Sequence, residues 1–138
     1  MKKIVVIDGQ GGKLGRLVIE QLKQTTHLNA EIVAVGTNSI ATATMLKAGA
    51  DSGATGENPV VVACRDAHIV IGPIGIIATD ALGGEVTGVM AMAIGSCRAQ
   101  KILIPVSRCR ISIMGVEAMP AADLVNLAVQ KALGVLNG

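Results

Sequence analysis

Four short apolar runs, separated by stretches with helical spacing, set the pattern of this chain. The runs cover residues 4–7, 31–36, 68–72 and 101–106, and Ile and Val dominate them. Such runs are typical of strands buried on both faces of a parallel sheet. Between and after the runs, the apolar spacing and the capping residues predict six helices. The first ends near Thr26, the second covers 40–47 and the third covers 60–66. The fourth is short and ends at about Leu82, the fifth extends from Thr87 to Ala99, and the last runs from Pro120 to about Leu136.

Three segments are less clear from their pattern alone. The three valines at 60–62 favour a strand, but too few residues separate them from the run at 68–72 for a parallel crossover, so a helix is predicted. Residues 50–57 have no periodicity and are predicted to form a loop. Residues 111–116 follow the fourth run after a short turn, which predicts an antiparallel edge strand.

The alternation of strands and helices predicts a single domain over residues 1–138. Its fold class is α/β, with three layers: a Rossmann-like open sheet, mostly parallel, with one antiparallel edge strand and helices on both faces. The last helix is apolar over most of its circumference, so it is expected either inside the core or against a second subunit.

The sharpest motif follows the first strand. A turn rich in glycine connects this strand to the first helix, an arrangement whose backbone N–H groups and helix N-terminus cradle phosphate in many proteins. The alternative is a tight turn that binds nothing. The candidate ligand-binding residues of the turn are Asp8, Gly9, Gln10, Gly11, Gly12, Lys13 and Gly15.

Further candidates lie where the other predicted strands end, because ligands of open parallel sheets bind outside the carboxyl ends of the strands. The loop at 50–57 is expected to fold toward the same pocket, although it also fits an ordinary connector. These candidates are Thr37, Asn38, Ser39, Thr55, Gly56, Glu57, Asn58, Gly72, Pro73, Ile74, Gly75 and Arg108.

The end of the second strand bears on which ligand is bound. In NAD-binding domains an acidic residue about 20 positions after the glycine turn bonds the ribose hydroxyls. Thr37, Asn38 and Ser39 stand there without a carboxylate, which favours NADP or another adenine nucleotide, unless the trio serves only to cap a helix. Asp8 would repel a pyrophosphate, so it is expected either to bond the N–H groups of its own turn or to hold Mg²⁺.

Composition narrows the possible partners. The chain has a net charge of +2 and no Phe, Tyr or Trp, which argues against nucleic acid and against a membrane surface. No export signal or membrane span is visible, so a cytoplasmic location is expected. Its three cysteines match no metal-ligand spacing, and no metal site is predicted. An apolar fraction of 51% in a small chain predicts a homodimer or larger homo-oligomer.

Several motifs taken together resemble a known family. The segments at 7–12, 36–38, 53–58 and 72–75 resemble a small bacterial family described only as a domain of unknown function, and this resemblance implies no established activity. The first forty residues are more loosely similar to NAD(P)-binding Rossmann domains. They differ from that pattern in Asp8 and in lacking the acidic residue after the second strand.

These observations favour a cytosolic protein that binds a small phosphate-bearing ligand, a nucleotide or dinucleotide, with a sensory or regulatory role. Both histidines, His27 and His68, are predicted at the opposite edge of the sheet. One alternative is a small enzyme acting on a phosphorylated metabolite, with Asp8 or Glu57 as base and Arg108 or Lys13 holding phosphate. Another alternative is a structural subunit of a larger complex.

Overall fold

A computed structural model describes residues 1–106 and 110–138 of the chain. These residues alternate between strands and helices along the sequence. In order they are β1 (Lys2–Asp8), α1 (Lys13–Lys23), β2 (Ala30–Gly36), α2 (Ser39–Lys47), β3 (Ser52–Thr55), α3 (Glu57–Cys64), β4 (Ile69–Pro73), a 3₁₀ turn (Ile74–Ile77), α4 (Gly88–Ser96), β5 (Gln100–Ile104) and α5 (Ala121–Asn137).

The strands form one sheet in the order β3-β2-β1-β4-β5, and every pair of neighbours is parallel. In register, Ile4 of β1 lies between Ile32 of β2 and Ile69 of β4. This strand order matches that of Rossmann folds, and it makes the junction between β1 and β4 the point where the order reverses. All strands end at the same side of the sheet, which we call the carboxyl edge.

The two faces of the sheet are buried by different helices. Ile4 and Val6 pack with α1, α2 and α5 on one face, whereas Val5 and Ile7 pack with α3, α4 and the 3₁₀ turn on the other. This two-residue alternation is the normal geometry of a strand. The predicted three-layer α/β fold is therefore confirmed.

The predicted antiparallel edge strand is wrong. Residues 111–116 form no strand, and all of them are exposed. Their alternation of apolar and polar residues resembles a strand, but the backbone turns into positive φ at Arg110 (56°) and at Gly115 (83°), which interrupts an extended path.

The predicted loop at 50–57 contains β3, which pairs with β2 from Ser52 to Thr55. Its four residues, Ser-Gly-Ala-Thr, are all exposed at the end of the sheet, so no burial pattern reports the strand. The helix predicted over the three valines is confirmed, although it begins earlier, at Glu57, and ends at Cys64. Pro59 is accommodated in its first turn, where its missing N–H is not needed.

The last helix contributes to the core of this chain. Val125, Ala128, Val129 and Ala132 are buried, and α5 packs on α1 and β5. Leu127 remains exposed on the outer side. Most of the apolar surface of α5 is therefore used within the chain itself.

Candidate functional site

The turn between β1 and α1 is organised by the carboxylate of Asp8. Its Oδ1 accepts a hydrogen bond from the N–H of Gly9 and its Oδ2 from the N–H of Gly15, both at 2.8 Å. Asp8 is only 5% exposed. Burial raises the pKa of this carboxyl, while backbone N–H groups of Gly15, Gly9 and Leu14 oppose the rise. Of the two roles expected for Asp8, the structure shows the bonds to its own turn.

Packing leaves no room for a Cβ atom at Gly12 and Gly15 of this turn. Gly12 has a φ of +74°, and a Cβ atom there would lie 2.9 Å from the carbonyl oxygen of Ala41. A Cβ at Gly15 would press on Met45 and lie 3.1 Å from the Cβ of Asp8. These glycines let α1 approach β1 and α2 closely, which is a structural role that does not need a ligand.

The side chain of Glu85 is the feature that the sequence did not predict. A single oxygen, Oε1, accepts hydrogen bonds from the N–H of Gln10 (2.9 Å), the Oγ1 of Thr37 (2.6 Å) and the Nδ2 of Asn38 (2.8 Å). Partial burial alone would raise the pKa of Glu85, but the bonds from Thr37, Gln10 and Asn38 outweigh it, so the pKa lies below its usual value. Glu85 is therefore an ionised carboxylate at neutral pH, held in place by donors from two loops.

Glu85 belongs to residues 78–87, which we call the cover segment. The cover segment leaves the 3₁₀ turn after β4 and crosses the end of β1, where Leu82 and Glu85, together with Thr37, surround the buried Gly9. Val86 anchors it in the core with no exposed surface. Its backbone has positive φ at Asp80, Leu82, Gly83 and Gly84. Left-handed conformations at non-glycine residues store strain and are frequent in ligand clamps and switches.

Thr37, Asn38 and Ser39 follow β2, as expected, and Asn38 caps α2. The Oδ1 of Asn38 accepts a hydrogen bond from the N–H of Ala41 at 2.9 Å, which satisfies the start of the helix. Its Nδ2 also donates to the carbonyl of Gln10, so Asn38 joins the two loops. Ser39 is the exposed first residue of α2. Capping and the contact with Glu85 therefore coexist at this trio.

The remaining candidates are spread along the carboxyl edge. Because β3 is parallel to β2, Thr55, Gly56, Glu57 and Asn58 lie at this edge. Thr55 shares a 2.7 Å hydrogen bond with Thr42, whereas Glu57 and Asn58 are exposed at the start of α3.

The segment after β4 is packed tightly. A Cβ at Gly72 would meet the carbonyl oxygen of Ile7, so this glycine is needed where β4 approaches β1. Pro73 and Gly75 are buried, and Ile74 is half-buried. Gly72 therefore has a structural role. Arg108 lies outside the residues that the structure describes.

Two N–H groups at the turn have no hydrogen-bond partner within the described part of the chain. They belong to Gly11 and Lys13, both of which are exposed. The other donors of the turn serve Asp8, Glu85 and the carbonyl of Gly9. The N–H groups of Gly11 and Lys13, which we call the outer rim of the turn, are therefore the ones left for a ligand.

Glu85 changes the argument about the ligand. The preference for NADP over NAD rested on the absence of a carboxylate at the end of β2, but Glu85 places one there from a distant part of the chain. The sequence around Glu85 gives little indication of this role, because a single acidic residue after the pair Gly83-Gly84 also fits the end of a helix. What could have indicated it is the position of Glu85 beyond the carboxyl end of β4.

Three further features would bear on chemistry or membrane contact: clustered metal ligands, the cysteine thiols and long apolar helices. Among residues 1–106 and 110–138, no three His, Cys, Asp or Glu side chains are grouped to hold a metal ion. Burial, with a smaller effect of the neighbouring Cys97, raises the pKa of the Cys64 thiol to about 12, which leaves it protonated. No helix within the described ranges is long and apolar enough to cross a membrane.

Comparison with known proteins places the chain in a family. It belongs to the family described as "Domain of unknown function (DUF3842)", whose model matches residues 3–137, which confirms the resemblance inferred from the motifs. No curated protein matches the chain. Among solved structures, it is similar to a dodecameric FMN-dependent Ubix-like decarboxylase from Escherichia coli O157:H7, with 21% identity, a TM-score of 0.44, and coverage of 95% of this chain and 76% of that one.

Proposed function

We propose that this protein binds a ribonucleotide or dinucleotide at the carboxyl edge of its sheet, beside the turn between β1 and α1. The observation that carries the proposal is the Glu85 carboxylate, which Gln10, Thr37 and Asn38 fix at the end of β2 through one oxygen. A carboxylate at this place in a Rossmann-like sheet suits a ribose diol.

The geometry of Glu85 supports a role in binding hydroxyl groups. All three donors converge on Oε1, and within the described residues Oε2 has no hydrogen bond. Ribose hydroxyls are donors, and an ionised carboxylate is their best acceptor. Because Glu85 is already held by the protein, little side-chain entropy is lost when a ligand binds.

The phosphate of the ligand is assigned to the outer rim of the turn. The exposed N–H groups of Gly11 and Lys13 and the nearby Lys13 ammonium supply donors and positive charge. Asp8 fills the inner position at the N-terminus of α1. A phosphate therefore binds further from the sheet than in a turn without this aspartate.

This arrangement favours NAD or a simple ribonucleotide over NADP. A 2′-phosphate would bring two negative charges toward Glu85, and like charges at short range cost binding energy. The earlier preference for NADP therefore gives way to a ligand with a free 2′-hydroxyl.

A sensory or regulatory role fits the site better than catalysis. Asp8, one of the two candidate bases, is buried and its carboxylate is engaged by backbone donors. The cover segment, with its strained backbone, crosses the same site and is the element that a bound ligand would move or hold.

Calorimetric titration with NAD, NADP, ATP and 2′-deoxy-ATP tests the proposal. We expect NAD and ATP to bind, and NADP and 2′-deoxy-ATP to bind about tenfold more weakly or worse. The variant Glu85→Gln should weaken NAD and ATP by a similar factor, because a charged acceptor is lost. Glu117→Gln, which neutralises an exposed glutamate outside the candidate ligand-binding residues, is the matched control and should leave affinity unchanged.

Two outcomes would overturn the proposal. One is the absence of binding of every nucleotide at millimolar concentration. The other is binding with equal loss in Glu85→Gln and Glu117→Gln, since this would indicate a general effect of charge rather than a site at Glu85.

A further inference from the structure

One part of the sheet is left open on the face that carries α3 and α4. α3 lies over β1 and the inner part of β2, and beyond it Val33 of β2 and Ser52 and Ala54 of β3 form the floor of a groove. The groove has a volume of about 630 Å³. We call it the β2–β3 groove.

The groove is unusual for a parallel sheet. Parallel strands occur almost only where helices cover both faces. On the opposite face, α2 covers β2 and β3, whereas on this face α3 reaches only the inner part of β2, and the side chains of β3 stay exposed. Val33 is only half-buried, and Val62, on the side of α3 that forms the groove wall, is 45% exposed.

The charges at the rim of the groove are balanced. Lys3 and Asp66 form an ion pair at 2.9 Å. Arg65 and Glu31 also line the groove, and neither takes part in an ion pair within the described residues. The rim therefore presents one unpaired positive and one unpaired negative group beside an apolar floor.

This combination is self-complementary. When two identical surfaces meet about a two-fold axis, each residue of one meets a different residue of the other, and opposite charges on one patch then neutralise each other across the contact. A partner with one dominant charge would leave either Arg65 or Glu31 facing a like charge.

We propose that the β2–β3 groove is the contact between two copies of this chain. In this homodimer, Val62 of each copy inserts between α3 and the sheet of the other, and Arg65 pairs with the partner's Glu31. The contact covers β3 and the outer side of β2, which α3 leaves open on this face. It is independent of the nucleotide proposal, and it differs from an interface on α5, whose Val125 is buried within the single chain.

The test is the mass of the protein in solution, measured by light scattering and sedimentation at micromolar concentration. We expect wild type at about twice the 14.0 kDa chain mass, or at a larger even multiple. Val62→Glu should weaken the contact about a hundredfold or more, because the new carboxylate would be buried without a partner. Val62 is exposed in the single chain, so circular dichroism and thermal unfolding should show that the variant remains folded.

Met92→Glu is the matched control. Met92 is an exposed apolar residue on α4, 70% accessible and outside the groove, so this variant should assemble like wild type. A charge exchange adds a second test: Arg65→Glu should dissociate the dimer, and Arg65→Glu combined with Glu31→Arg should restore it.

A monomeric wild type would overturn the proposal and leave the groove for a different occupant. An assembly that withstands Val62→Glu, or that Met92→Glu disrupts equally, would also overturn it. Failure of the charge exchange to restore the dimer would contradict the assigned pairing of Arg65 with Glu31.

Discussion

The N–H of Gly15 donates a 2.8 Å hydrogen bond to the Asp8 carboxylate across the turn from β1 to α1. This bond places a negative charge of the protein at the N-terminus of α1, where the helix dipole favours an anion. The same position receives phosphate in many proteins with a glycine-rich turn. Here the Asp8 carboxylate occupies that position and stabilises the turn, so the phosphate of the proposed ligand would bind further from the sheet.

Replacing Asp8 by Asn should destabilise the fold. The amide oxygen can replace one carboxylate oxygen, but the NH₂ group would face a backbone N–H at Gly9 or Gly15 and leave that buried donor without an acceptor. The neutral side chain is easier to bury, which offsets part of the loss. We expect a net decrease of about 1–2 kcal/mol in the free energy of unfolding, measured by urea denaturation at neutral pH.

Asp123→Asn is the control for this measurement. Asp123 is an exposed acidic residue in the first turn of α5, and its replacement should change stability by less than about 1 kcal/mol. Equal stability of Asp8→Asn and wild type would show that the bonds to Gly9 and Gly15 contribute little.

Acid should weaken the attachment of the cover segment. The pKa of Glu85 lies below its usual value of 4.5 in the folded protein, so its ionised form stabilises the fold at higher pH, and this contribution is lost as pH falls through the folded pKa. The contribution of Asp8 to stability changes with pH in the opposite direction, because its raised pKa makes ionisation less favourable in the folded state than in the unfolded chain.

The effects of the two carboxyls on stability are distinguished by comparing wild type with Glu85→Gln. The difference in their unfolding free energies should be constant near neutral pH and should shrink below pH 4.5. Because Asp8 is present in both proteins, its main contribution cancels. A difference that grows on acidification would contradict the assignment to Glu85.

Two glycine variants distinguish the binding role of the turn from its packing role. Gly11 is exposed, and a Cβ there would have only Lys13 at 4.0 Å, so Gly11→Val should fold normally and lose nucleotide affinity about tenfold or more. Gly72→Ala places a methyl group against the Ile7 carbonyl and should destabilise the sheet by several kcal/mol. Thermal unfolding and calorimetry of both variants measure the two effects, and a folded Gly11→Val with full affinity would argue against the outer rim as the phosphate site.

A bound nucleotide should be visible by absorbance alone. With no Trp or Tyr, the protein is nearly transparent near 280 nm, so a band near 260 nm in nucleic-acid-free material reports a retained ligand. We expect such a band in freshly purified wild type and a smaller one in Glu85→Gln. Mass spectrometry of the heat-released ligand would identify it, and a flat spectrum for wild type would indicate that the purified protein retains none.

The parts of the fold that burial controls were predictable from the sequence. Apolar runs such as Ile4 to Ile7 identified the inner strands, and Asn38 and Thr87 marked the starts of α2 and α4, where each caps its helix. β3 was missed because Ser52 to Thr55 are exposed and their pairing depends on backbone contacts with β2. The prediction of an edge strand at residues 111–116 was wrong because an alternating pattern does not reveal the backbone bend at Gly115.

The candidate site was predictable only in outline. The end of β1 and the end of β2 were correctly placed side by side, since parallel strands bring their carboxyl ends together. Glu85 was not predicted as part of the site, because its contact with Thr37 joins residues 48 positions apart through a loop without periodicity. Contacts of this kind depend on the path of an irregular segment, which propensity and pattern do not determine.

The central position of β1 has a consequence for how the chain folds. Its first partner, β2, is reached through one helix, whereas its second partner, β4, is reached only after β3 and α3 have been passed. Closing the shorter loop loses less entropy, so the β1–β2 pair is expected to form before β4 docks on the other side. The cover segment follows β4, so it can reach Thr37 and Asn38 only after this late event. Under the proposed function, nucleotide binding would then depend on a late step of folding, the docking of β4 beside β1.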